Sequence, residues 1–199
     1  MKENMINAIA LNVILISAGC MSSTDALGQF PTPDGLEVVG QDASPEDMRM
    51  FDSFIGTWKG KSFKSRDDRN LHFLIEYEWF DRTKTICGLK IIQVNEDDGN
   101  TIQTMQGYYG FDPRQKRIFH YIFSATGGTG FGTLLEFDAK NGSRANAMVA
   151  RMNQASDLQQ MRDRFRLIDE ESFENKAYVW QPDSKEWKMM NQGIYKKIK

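Results

Sequence analysis

Leu71-His72-Phe73-Leu74-Ile75-Glu76-Tyr77-Glu78-Trp79 decides the fold class. Leu71, Phe73, Ile75, Tyr77 and Trp79 recur with period two, while His72, Glu76 and Glu78 fall on the other side. Strict alternation over this length is the pattern of a strand with one buried face. Five large side chains on that face need an interior to point into, so the strand is the wall of something closed or layered.

The same pattern repeats along the chain. Strands are expected at about 56–64, 71–80, 84–94, 102–111, 117–124, 129–137, 143–152, 161–168, 172–180 and 187–196. Asp98-Gly99, Asn141-Gly142 and Pro182-Asp183-Ser184 supply the backbone preferences of tight hairpins between them. No segment between strands has the period of a crossover helix, so neighbours are antiparallel. A meander of about ten strands leaves two edges, and closing it removes both. The expectation is therefore an all-β domain, a single antiparallel up-and-down β-barrel of about ten strands. Ser44-Pro45-Glu46-Asp47 opens it with a helical turn, because an N-cap residue precedes Pro.

Alternation also assigns faces. Trp58, Met105, Tyr109, Phe111, Phe131, Leu135, Phe137, Trp187 and Met189 are expected inside, and Arg162, Arg164 and Arg166 outside. Thirteen Phe, four Trp, six Tyr and eleven Met either fill such a barrel or line a cavity within it.

Bulk properties narrow the function class. The net charge is -2 with pI near 5.8 and the charges are mixed, which argues against a nucleic-acid partner. Residues 8–18 form a short apolar run after Lys2 that ends in small residues, the pattern of a secretory signal. Cys20 follows Ser17-Ala18-Gly19, and two readings stay open: lipidation at Cys20, or cleavage after Ala18. Residues 21–45 are rich in Ser, Thr, Asp, Gly and Pro. The expected organisation is a signal peptide at 1–19, a flexible tether at 20–46 and the barrel at 47–199, exported to the periplasm or lipid-anchored to the cell envelope. Any membrane contact then runs through that anchor.

Phe51-Asp52-Ser53-Phe54-Ile55-Gly56-Thr57-Trp58-Lys59-Gly60 resembles the opening of lipocalin-like (calycin) barrels, where a helical turn leads to Gly-x-Trp on the first strand. Gly107-Tyr108-Tyr109-Gly110-Phe111-Asp112 and the closing strand 187–195 are similar to uncharacterised bacterial exported barrels distantly related to nitrobindin. The resemblance implies a barrel closed at one end, with the tryptophan across its base. Nitrobindin-type barrels hold haem through a histidine near the C-terminus, and Met189-Met190-Asn191-Gln192-Gly193-Ile194-Tyr195 contains none, so haem is not expected, nor any other cofactor.

Few residues carry obvious chemistry. Of the two histidines, His72 alternates with glutamates and is expected on the solvated outside, while His120 lies where both faces are apolar. No His, Cys and carboxylate spacing suits a metal. Cys87, in an apolar strand, reads as a small hydrophobe. The glycine-rich 125–132 precedes a strand, not a helix, and so reads as a rim hairpin and not a phosphate cradle. Asp163 and Asn191 interrupt apolar faces and are candidate polar anchors in a mostly apolar pocket. The expected ligand-binding set is Trp58, Tyr77, Tyr109, Phe131 and Asn191, taking up a small hydrophobic or amphipathic molecule without catalysis. The alternatives are a small-molecule enzyme with His120 and Asp163 as an acid/base pair, or a filled barrel acting through its surface in the envelope. The oligomeric state is open.

Overall fold

The computed structural model describes residues 41–125, 127–138, 142–151 and 159–198. The signal, Cys20 and most of the tether lie outside the described residues. Within them a 3-10 helix, Pro45–Ser53, precedes β1 (Gly56–Gly60), β2 (Phe63–Lys64), β3 (Asn70–Trp79), β4 (Ile86–Asn95), β5 (Thr101–Asp112) and β6 (Arg117–Ser124). β7 (Thr129–Asp138), β8 (Ser143–Arg151), β9 (Gln159–Asp169), β10 (Ser172–Gln181) and β11 (Glu186–Lys197) follow.

Every strand pairs antiparallel with its sequence neighbour from β3 to β11, and β1 closes the ring by pairing with both β3 and β11. β2 continues β1 beyond a one-residue slip: Lys59 faces Leu74, but Phe63 faces Leu71. The result is a closed ten-strand antiparallel barrel, as the alternation implied. The chain is bonded to it from Gln41 onward, whose N–H donates to the Leu135 carbonyl, and Ala43 N–H donates to that of Lys116.

The helix plugs one end. Ser44 and Asp47 form a capping box ahead of Pro45, and Met48, Met50, Phe51 and Phe54 are buried in the barrel mouth. Trp58 crosses beneath them and its indole N–H donates to the Phe54 carbonyl at 2.6 Å. Phe54 and Phe173 pack on it, and Phe173 stacks on Tyr195. Trp79 and Lys84 both donate to Asp52, holding the helix to the β3–β4 hairpin.

Two bulges correct the face assignments. Between Leu134 and Glu136 β7 carries an extra residue, so the parity that makes Phe137 inward turns Phe131 outward, where it is 43% exposed. Leu134, not Leu135, is the buried residue there. In β11 Met190 is the extra residue, since Ala177 faces Asn191 while Tyr178 faces Met189. Trp187 therefore sits on the outside against Trp180 and under Arg162, and Met189 is 50% exposed. His72 does face outward, yet it is buried beneath Glu96, whose carboxylate also takes Ser62 and Lys59.

The plug predicts a large, measurable cost. Phe51→Ala removes a fully buried ring that packs on Tyr109 and Trp79 and should lower unfolding free energy by about 3–5 kcal/mol in urea titrations. A loss under about 1 kcal/mol is the outcome that would show the helix to be a loose cover.

Candidate functional site

Directly opposed residues on neighbouring strands share a face, so the register reads out the interior wall in tilted rows. Above the floor row of Leu167, Phe173 and Tyr195, the next row runs Phe137, Arg144, Phe165, Asn175 and Gly193. Above it come Leu134, Asn146, Asp163, Ala177 and Asn191. The third is Gly132, Met148, Met161, Val179 and Lys188, and through Gly132 it continues to His120, Tyr109, Cys87 and Trp79. Polar side chains thus form a belt between the aromatic plug and an upper layer of Ile122, Met148, Ala150 and Met161, with Met105 packed against it.

Arg144 is the centre of the belt and is only 2% exposed. Its guanidinium lies 4.2 Å from the Phe54 ring centroid and 4.1 Å from that of Phe165, with Phe51, Tyr77 and Tyr109 around it. Nη2 donates to the Tyr77 hydroxyl at 2.8 Å, and Nε and Nη1 have no partner. Desolvated contact with several aromatic faces offsets part of the cost of burying a cation.

Asn146 is wholly buried and donates through Nδ2 to the Tyr109 hydroxyl at 3.0 Å, leaving its Oδ1 unpartnered. The Tyr109 ring stacks on His120 at 4.2 Å, only 2° from parallel. Neither ring nitrogen of His120 has a hydrogen-bond partner. Desolvation, with Arg144 adding to it, pushes His120 down to about 3, so the imidazole is neutral at physiological pH. Desolvation has the opposite effect on Asp163, pushing its carboxyl up to about 7 against the pull of Arg144. Burial likewise raises the Cys87 thiol to about 12, which suits an inert core residue.

The structure therefore brings Tyr77, Tyr109, His120 and Asp163 into one interior belt and puts Trp58 beneath them in the floor. Asn191 lies on the Asp163 row but on an exposed stretch of β11, and Phe131 is on the other side of the wall. Among the described residues no hydrogen bond joins His120 to Asp163; both surround Tyr109 instead. No three His, Cys, Asp or Glu side chains among the described residues converge as metal ligands would. Arg144 and Asn146 are absent from the sequence-based set. Their signal lies in Arg144-Ala145-Asn146-Ala147-Met148, where the residues alternating with alanine must share a face with Met148.

No family model matches the chain and no curated protein matches it. Among solved structures, Rv2717c from M. tuberculosis superposes with TM-score 0.52 at 12% identity, over 79% of this chain and 100% of that one. A de novo designed fluorescence-activating β-barrel gives 0.34 at 16% identity, covering 74% and 95%. EF1p2_mFAP2b bound to DFHBI gives 0.35 at 9%, covering 76% and 98%. The likeness to Rv2717c, at 12% identity, speaks to the fold alone, a closed antiparallel β-barrel.

The two buried titrating groups predict opposite pH slopes. Asp163 has an ordinary value of 3.8 and a folded value of about 7, so the folded state holds the extra proton in between and stability falls as pH rises. His120 has an ordinary value of 6.5 and a folded value of about 3, so stability falls as pH drops through that window. Asp163→Asn should leave the His120 slope, with urea midpoints declining from about pH 6.5 towards 4. His120→Gln should leave the Asp163 slope, with midpoints highest near pH 4. Parallel profiles for the two variants would contradict both assignments.

Proposed function

We propose that the barrel holds a small amphipathic molecule, its polar end against Tyr109, Asn146, Asp163 and His120 and its apolar body among Ile122, Met148 and Met161. The observation that carries this is the set of buried, unpartnered polar atoms on the belt: both His120 nitrogens and Asn146 Oδ1. Buried polar groups are normally paired, and each one left bare costs about 1–3 kcal/mol. A ligand offering both a donor and an acceptor removes that cost.

The reading includes neither catalysis nor a cofactor, and it keeps the similarity to nitrobindin-type barrels without their haem, since the matching C-terminal stretch has no histidine. A second reading, acid/base chemistry, draws on the near-neutral Asp163 carboxyl and the neutral His120 imidazole on the same belt. Native mass spectrometry separates the two, because a molecule captured by the wild type and recovered chemically unchanged after prolonged incubation excludes turnover.

1-Anilinonaphthalene-8-sulfonate, an aromatic body with one anionic end, serves as the probe. Fluorescence titration should give one site per chain, weakened about tenfold by Asn146→Leu, equivalent to about 1.4 kcal/mol. Phe123→Glu, on the outer wall, should leave it unchanged. The reverse pattern would put the probe on the outside and remove the interior site.

The export reading completes the proposal: the barrel works in the periplasm or tethered to the envelope through an acyl group on Cys20. Metabolic labelling with palmitate in a bacterial host should mark the wild-type chain and not Cys20→Ser. An unlabelled but shortened wild type supports cleavage after Ala18 instead, and an unshortened, unlabelled chain in the cytoplasm contradicts export.

A further inference from the structure

We propose that the outer aromatic face of β4 to β7 is a two-fold interface with a second copy of this chain. Phe80, Ile86, Phe119, Tyr121, Phe123 and Phe131 are all 36–47% exposed on the outside of one wall. Phe80, Ile86, Tyr108, Phe119, Tyr121 and Phe123 line a shallow groove of about 460 Å³. Phe131 stands beside it, 6.1 Å from Tyr121.

The face is built to stay as it is. A Cβ at Gly88 would strike the Phe80 ring and one at Gly110 the Phe119 ring, so both rings lie flat over bare backbone. Tyr108 packs on Phe80, and Tyr121 on Phe123. These contacts fix the side chains before any partner arrives, which lowers the ordering cost of association.

Area and charge single out a second copy. Six side chains of roughly 200 Å² at about two-fifths exposure give about 500 Å² per chain, so a pair buries about 1,000 Å², the threshold for a specific interface. The same area is at the upper end of what a monomer leaves exposed. The residues directly opposed to the rings, Gln106, Thr129 and Thr133, are neutral, and charge lies at the border of the face, where Glu78 pairs with Lys90 at 2.7 Å, Arg117 pairs with Asp42 at 3.4 Å and Arg151 opposes Thr129. A face with a neutral centre meets its own image with little like-charge penalty. The β9–β10 wall instead presents Arg164, Arg166, Lys176 and Glu174 where the aromatic face presents rings, with Glu136 of β7 reaching across to Arg164. A two-fold operation sets Phe131 of each copy against the groove of the other.

Sedimentation velocity on the full chain carrying Cys20→Ser tests this without any acyl contribution. The expected result is a dimer at micromolar concentration, weakened at least about thirtyfold by Phe123→Glu, the loss typical of an interface anchor, and untouched by Arg164→Glu. Far-UV circular dichroism checks that Phe123→Glu folds, and the Tyr121→Ser/Phe131→Ser double variant reads the same contact if it does not. A monomer across the whole concentration range overturns the proposal. So does a dimer that survives both aromatic variants, or a monomer whose aromatic face instead binds vesicles of phosphatidylcholine and phosphatidylglycerol.

Discussion

One buried cation organises the inside of this barrel. Arg144 sits where the plug meets the wall, with its guanidinium between Phe54 of the plug segment and Phe165 of β9. A bare guanidinium at that depth costs several kcal/mol, and aromatic faces recover only part of it. Its hold on Tyr77 links β8 to β3 through space, across the barrel from one wall to the other. The same charge acts on the belt above it, since it helps keep His120 unprotonated and opposes the rise at Asp163. The floor, the tyrosines and the two titrating groups thus answer to a single side chain.

How much of this can be read from residues alone follows from what alternation can encode. Period two locates strands without knowing the fold, and the hairpin residues locate the reversals, so ten strands and their antiparallel order are legible. Faces are another matter. A single inserted residue shifts the parity of everything beyond it, and the bulges at Leu135 and Met190 do so in the middle of strands with no Gly or Pro to mark them. Phe131, Trp187 and Met189 are apolar residues on the outside for that reason. The assignments for β3, which is free of bulges against β4, hold from Leu71 to Trp79.

The belt is harder to see for a second reason. Ala145 and Ala147 are almost fully buried although their alternate neighbours Arg144 and Asn146 face the interior, because long side chains of adjacent strands such as Arg164 lie over the outer wall. Binary patterning puts polar residues outside. A barrel that keeps a polar layer within its core inverts that rule at the strand where the layer is built, and only the register shows which way round the strand sits.

The inversion itself argues for a role. A barrel meant only to be filled is best served by apolar side chains at every inward position, since replacing buried ionic and polar groups with hydrophobic ones of similar volume is often neutral or stabilising. Here Arg144, Asn146, His120 and Asp163 occupy inward positions at once, several of their atoms bare, although the layers above and below are methionine, isoleucine and aromatic rings. Rings and methionines on both sides show that this interior can be packed dry. Polar groups retained between two such layers are the feature on which the proposed ligand site rests.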